Sequence, residues 1–322
     1  MAILFGRNTF LKLAPESSYG VTGSYKTNAV RVIDVSMQTT QQRDRSNHLS
    51  SSDGAIAQST FDQFRESGGS LSVPLYYSGS TLLLKALIGN ITTTGGGPNY
   101  THQLKSNTTS LDSFTLALQR GSDSTGGQEV FTGCMINSGT ISITAGEEAS
   151  LSLDIIAKDS AARASGLTPT YNTTQKRVQH YETSVDLTFN GQTYKVRSFE
   201  MTIENSLERR NVLGSKLTES PDVTDFRSVV VSVELDAQNN NLYNAMLAGT
   251  ESSLVIKFDE TGSTNYMEFT LNNSIITDYS DPISTVGRLS QSVTFTALAG
   301  ASTEALKLEI QNTLDAANAL NT

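Results

Sequence analysis

The sequence predicts a mainly β chain, with two tandem β-sandwich or barrel domains, each carrying a short flanking helix, and a further helix at the C-terminal end. Three observations carry this reading. Apolar and polar residues alternate in segments such as "SLSVPL" (Ser70–Leu75) and "VVSVEL" (Val230–Leu235), the period of a half-buried strand. Charged residues make up only 17% of the chain, while Ser, Thr, Gly and Asn are plentiful, as suits strands joined by turns. Finally, phrases recur in the same order along the chain.

The clearest recurrence is "SLSVPLYYSGSTLLLKALIG" (Ser70–Gly89), which returns as "VVSVELDAQNNNLYNAMLAG" (Val230–Gly249) 160 positions on. Ser72, Val73, Leu75, Leu82, Leu87 and Gly89 are identical to Ser232, Val233, Leu235, Leu242, Leu247 and Gly249. Upstream, "IDVSMQTTQQR" (Ile33–Arg43) matches "FEMTIENSLER" (Phe199–Arg209) at an offset of 166. Downstream, "SFTLALQR" (Ser113–Arg120) matches "SLVIKFDE" (Ser253–Glu260), and "LSLDIIA" (Leu151–Ala157) matches "QSVTFTA" (Gln291–Ala297), both at 140. Collinear matches with a falling offset are what a duplication with extra loop residues in its first half produces.

Each half then reads as strand, long polar loop, strand, short helix, strand, hairpin, strand. Ser78 or Ser80 caps the first helix and Gly89 ends it; Asn240 or Asn241 caps the second and Gly249 ends it. The first hairpin turns at Ala145-Gly146. The expected division is residues 1–165 for the first domain with its N-terminal arm, 166–177 for a linker, and 178–300 for the second domain. Residues 301–322 are expected to form a helix, with Ser302 as N-cap and Leu306, Ile310, Leu314 and Ala317 along one stripe. That helix and the insertion Asn90–Asp112 have no counterpart in the other half.

The charge of -9 argues against nucleic acid as a bound partner, since binding draws on Lys and Arg to neutralise phosphates. No stretch approaches the roughly 20 apolar residues of a membrane helix. "MAILFGRNTF" has too short an apolar run for a secretion signal, so synthesis in the cytoplasm is expected. Cys134 is the single cysteine, a small buried hydrophobe in a strand.

No chemistry emerges. His48, His102 and His180 lie far apart and read as solvated loop residues, without metal-ligand spacing. "TTTGGGPN" and "STGGQ" lack the Lys-Ser/Thr of a phosphate loop. The sequence therefore predicts no enzyme, no cofactor and no metal. The Arg clusters of "QQRDRSNH" and "LERRNVLG" fall at equivalent places. Arg43, Arg45, Arg209 and Arg210 are either solvated edge charges or arms that pair with acids on another subunit or ring.

The segments "PESSYGV" (Pro15–Val21), "LLLKALIG", "YTHQLKSNTTSLDSFTLALQRG" (Tyr100–Gly121) and "FTGCMINSGTISITAGEEASLSLDIIAKD" (Phe131–Asp159) resemble the tail tube (major tail) proteins of long-tailed, siphovirus-like bacteriophages. The resemblance spans roughly Pro15 to Gly300. It implies a virion structural protein whose sandwiches join neighbouring copies into a barrel around a channel, with a long loop reaching the next ring. It also implies stacked rings that enclose the tape measure protein, end at a tail terminator and pass DNA without binding it. Two such folds per chain imply a ring of three subunits with pseudo-sixfold symmetry; one would imply six. A capsid decoration protein or adhesin-type two-domain β module is the alternative reading.

Overall fold

The computed structural model describes residues 9–46, 59–97, 99–106, 111–121, 127–162, 167–173, 175–180, 182–281, 289–299, 304–315 and 320. The first part of the chain forms β1 (Phe10–Ser18), β2 (Val21–Thr22), β3 (Asp34–Val35), β4 (Gln38–Ser46), β5 (Ser59–Pro74), α1 (Thr81–Ile88), β6 (Ile91–Gly96), β7 (Asn99–Lys105), β8 (Phe114–Gln119), β9 (Gln128–Thr144), β10 (Ser150–Ala157) and β11 (Asp159–Ala162). The second part forms β12 (Thr183–Phe189), β13 (Gln192–Glu204), β14 (Leu207–Arg210), β15 (Glu219–Val223), β16 (Ser228–Asp236), α2 (Asn241–Ala248), β17 (Ser252–Glu260), β18 (Tyr266–Ser280), β19 (Ser290–Ala297) and β20 (Leu306–Asn312). The protein is mainly β, as the alternation predicts.

Six strands of the second part pair in a closed cycle, β12-β17-β18-β19-β16-β13 and back to β12. The first part has the same order, β1-β8-β9-β10-β5-β3. Its cycle closes through a bridge between Leu11 and Val30, whose amides and carbonyls bond at 3.2 and 2.8 Å. The registers correspond too. Asp34 lies opposite Ser72, and Glu200, 166 positions on, lies opposite Ser232, 160 positions on. Ser152 faces Ser72 while Thr294 faces Ser232, so β10 and β19 match at 142 rather than the expected 140. The slip is even, so it keeps every side chain on its own face.

Alternate residues of each cycle turn inward. Val229, Val231, Val233 and Leu235 of β16 are buried, and Phe199, Phe258 and Phe269 meet edge-to-face or tilted at 5.4–6.4 Å. Each such side chain contributes about 1.5–3 kcal/mol of apolar burial. Cys134 is fully buried, and burial pushes its thiol well above the usual range, as an inert core residue requires.

The helices fall where the sequence places them and end at Gly89 and Gly249, the latter in the left-handed conformation at φ 61°. Their N-terminal chemistry differs from expectation. Ser80 Oγ accepts from Tyr76 N at 3.1 Å instead of capping α1, and neither helix start has a side-chain cap bond. The segment expected as a linker is tied down where described, with Ala29 N donating to Thr170 O and Tyr77 N to Lys176 O. Just beyond it, Val178 N donates to Leu75 O.

The C-terminal helix is a correction. Leu306–Asn312 is a strand, β20, between β7 and β18. Leu306 and Ile310 fit a helical stripe, but Leu308 is equally apolar, and with a period of two all three are buried. Two open strand edges stand ready on either side, and the ladder they offer outweighs helix propensity. The proposed cap Ser302 lies outside the described residues. The two features without counterparts therefore meet, since β7 belongs to the insertion Asn90–Asp112.

His102 is a second correction. It is fully buried, not solvated, between Thr93 and Asn312. His180 is exposed, and His48 lies outside the described residues.

Candidate functional site, a polar sheet face with two open edges

The two cycles share one sheet because β9 continues past its own cycle. Ser138–Ser142 pairs with β10 on one side, and Ser138–Thr144 pairs with Ser198–Glu204 of β13 on the other. The run β3-β5-β10-β9-β13-β16-β19-β18 is thereby continuous, eight strands wide. α1 locks this junction. Asn205 Nδ2 donates to Leu87 O at 3.2 Å and Ile136 O at 2.9 Å, and Arg227 Nη1 donates to Ile88 O at 2.8 Å.

Strand alternation decides what the two faces of this run present. Phe199, Met201 and Ile203 turn into the core, so Glu200, Thr202 and Glu204 turn out. The outward face is a ladder of hydroxyls: Ser36 to Ser70 at 2.8 Å, Ser72 to Ser152 at 2.6 Å, Thr140 to Thr202 at 3.1 Å and Ser232 to Thr294 at 3.2 Å. Set into it are Asp34, Asp154, Glu200, Glu204, Glu234 and Asp278. Their cross-strand neighbours are, in order, Ser72; Ser70 and Ser138; Ser142 and Ser232; Ser138 and Ser228; Ser198 and Ser292; and Thr294. No two of these carboxylates oppose each other directly. Among the described residues only Arg197 ion-pairs with one of them, reaching Glu234 at 3.5 Å. A shallow concavity on this face spans both halves, from Ser142 and Glu200 across Ser232 and Glu234 to Ser280 and Ser292. Such a surface can hydrogen-bond water and repel anions. Among the described residues no cluster suited to a metal ion occurs.

Sequence reasoning named no carboxylate on this face. The parity of "FEMTIE" carries the signal for Glu200 and Glu204, but the strand order that sets them beside Ser232 and Ser142 does not follow from parity.

The four arginines lie off this face. The polar stretch after Arg43, expected as a loop, is paired strand at both described ends, β4 with β5 from Gln38–Gly68 to Ser46–Ser59, and residues 47–58 lie outside the described residues. Arg43 Nε bonds Asp62 Oδ1 at 2.9 Å across this pair, and Arg45 is exposed. In the second half β14 and β15 form the corresponding short hairpin, where Arg210 meets Asp222 at 3.6 Å. Arg209 straps this hairpin to the sheet, donating to Ala157 O at 3.2 Å and to Ser67 O. The two hairpins touch through Lys216 and Asp62 at 2.7 Å and through an Arg65–Leu217 bridge. Phe61 and Phe64 stand exposed on the longer one.

A family model described as phage tail tube protein matches residues 6–297. The chain belongs to the phage tail tube protein family. The match takes in both cycles, both hairpins and the polar face. No curated protein matches the chain. Membership makes it a virion structural protein of the phage tail, in a family whose members self-assemble into a tube. Among the described residues no helix is long and apolar enough to cross a membrane.

Proposed function

We propose that the chain is a non-enzymatic subunit of the tail tube of a long-tailed phage. In this reading it polymerises into stacked rings whose channel wall is the polar face of the eight-strand run, and genome passes through that channel. The observation that carries it is the placement of six carboxylates and a hydroxyl ladder on one side of one continuous sheet. A wall of this kind holds water and repels phosphate, so DNA meets no site at which to stick.

The matching order and registers of the two strand cycles support two fused tube folds. Eight strands from each of three copies, at about 4.8 Å spacing, give a barrel at least about 37 Å across before tilt widens it. Two copies would give about 24 Å, of which inward side chains of about 5 Å on each wall leave about 14 Å, too narrow for a DNA duplex. Three copies with pseudo-sixfold symmetry are therefore favoured. The tape measure protein would occupy the same channel before ejection, and a tail terminator would end the stack.

The paired hairpins β4–β5 and β14–β15 precede the sheet-paired parts of β5 and β16 and touch each other, and they are the proposed ring-to-ring arms. Arg45, Phe61 and Phe64 would make contacts there, whereas Arg209 is held within its own chain. Negative-stain imaging of the full-length protein, alone and seeded with tail tips, tests the reading. Rings or tubes with threefold or sixfold-like end views are expected. A monodisperse monomer at every concentration and salt would refute it.

A further inference from the structure

We infer that the free edge of β18 (Ile276–Ser280) pairs antiparallel with the free edge beside β3 (Ile33–Ser36) of a second copy, with Asp34 opposite Ser280 and Ser36 opposite Asp278. The inference rests on the tube reading and specifies its subunit contact.

The template is inside the chain. On one side of β9, residues 128–134 pair with β8 and residues 138–144 then pair with β13. On the corresponding side of β18, residues 266–274 pair with β17. Among the described residues, no strand continues that side along Ile276–Ser280, which β19 pairs only from the other side. At the other end of the run, Val30 bridges to Leu11 as Val196 follows the β12 pairing, and β5 flanks Asp34–Val35 on one side only. Ile33 N donates to Ser72 O at 2.8 Å and Ser36 N to Ser70 O at 2.9 Å, so both ends of this stretch are held to β5 from that one side. Arg120 covers Met37 O at 3.1 Å and ends the edge there.

Carrying the β9–β13 register across sets the pairing. Ser142 faces Glu200; the matching positions are Ser280, 138 further along in β18, and Asp34, 166 earlier. Two apolar exposures fit the same contact. Ile33 is 54% exposed, while its counterpart Phe199 is 1% exposed at the internal junction. Leu247 of α2 is 65% exposed, while its counterpart Leu87 of α1 is 0%. Phe199 is covered by Phe258 and Phe269 of its own cycle and Leu87 lies against Gly139 of β9, whereas Ile33 and Leu247 stand open. Charge fixes the register as well. In the inferred pairing Asp34 and Asp278 each meet a serine, whereas a slip of two residues sets Asp34 against Asp278, and like charges directly opposite are destabilising.

The test uses disulfide trapping in full-length protein. Direct cross-strand partners lie within disulfide reach and diagonal ones do not. Asp34→Cys/Ser280→Cys, both exposed positions, is assembled, oxidised and run without reductant; Asp34→Cys/Asp278→Cys is the slipped control. Covalent species of two and three chains from the first variant, at least tenfold more than from the control and absent from either single variant, are expected. Mixing the Asp34→Cys and Ser280→Cys single variants should trap only pairs. Rings that form without cross-links, or that cross-link chiefly in the control, would overturn the register while leaving the tube reading intact. Wild-type protein that forms no ring under any condition would overturn both.

Discussion

His102 and Asn312, 210 positions apart, complete each other's hydrogen bonding at 3.1 Å inside the junction of β7 and β20. Asn312 Nδ2 donates to Tyr77 O at 3.1 Å, and its Oδ1 accepts from Leu314 N at 2.9 Å. His102 therefore donates through Nε2 to that oxygen and accepts at Nδ1 from the Thr93 hydroxyl at 2.8 Å. Asn312→Ala leaves a buried donor on His102 and a buried acceptor on Tyr77 without partners. The expected loss is about 2–4 kcal/mol, read as a lower urea midpoint at unchanged m-value.

Acid should loosen the same seam. Partial burial raises the Glu309 carboxyl, but hydrogen bonds from Tyr266 and Gln103 and the charge of Lys307 outweigh it, so Glu309 titrates below the ordinary glutamate range. Gln103 reaches it from β7 at 3.0 Å and Tyr266 from β18 at 2.5 Å. A depressed carboxyl stabilises the fold above its unfolded pKa, and the contribution fades as pH falls through the folded value. Wild type should melt above Glu309→Gln at pH 7, and the gap should close below about pH 4.5. A gap that stays constant down to pH 3 would show that the charge of Glu309 contributes nothing.

Gly69 lets β3 approach β5. Its φ is 144°, and a Cβ there would stand 2.5 Å from Ser36 O and 3.1 Å from Met37 Cα. Gly69→Ala should cost about 1–3 kcal/mol through strain and displaced backbone. Because it moves the strand beside the open edge, it should also weaken ring formation in sedimentation experiments more than the distant core substitution Val229→Ala.

The channel wall can be tested at named positions. Glu200→Lys/Glu204→Lys changes two exposed residues of the polar face and should alter stability by less than about 0.5 kcal/mol each. Tubes should assemble normally while DNA release slows, because lysines bind the passing phosphates. Release at the wild-type rate would refute the repulsive wall.

The arms separate stacking from ring closure. Replacing residues 44–61 by a short turn keeps the base of the β4–β5 hairpin and removes Arg45 and Phe61. Single rings should persist and long tubes should disappear in micrographs; normal tubes would exclude the hairpin as the ring-to-ring contact.

Much of this fold is legible in the sequence, and the exceptions share a cause. Alternation in "VVSVEL" and "FEMTIE" predicts β16 and β13 and their inward faces, and the offsets of 166 and 160 match the strand registers. The C-terminal segment is misread because its apolar spacing satisfies two periods. Only the neighbours β7 and β18, one of them about 200 residues away in sequence, decide between them. His102 is misread for the same reason, since a lone histidine carries no sign of a partner such as Asn312. The polar face is half legible. Parity exposes Glu200, but its company of serines comes from strands far along the chain. The arginines show the limit of local reading, for Arg43 and Arg209 occupy similar places in their repeats yet bond to different groups.

The position of β20 has a consequence for timing. Gln103 and Glu309 are 206 residues apart, so at a synthesis rate of about 5–20 residues per second β7 waits on the order of 10–40 s for its partner. Until then the edges of β7 and β18 stand unpaired. The seam that joins the two parts is closed by a strand made long after its partner β7, so a nascent chain has a window for mispairing that a finished one lacks.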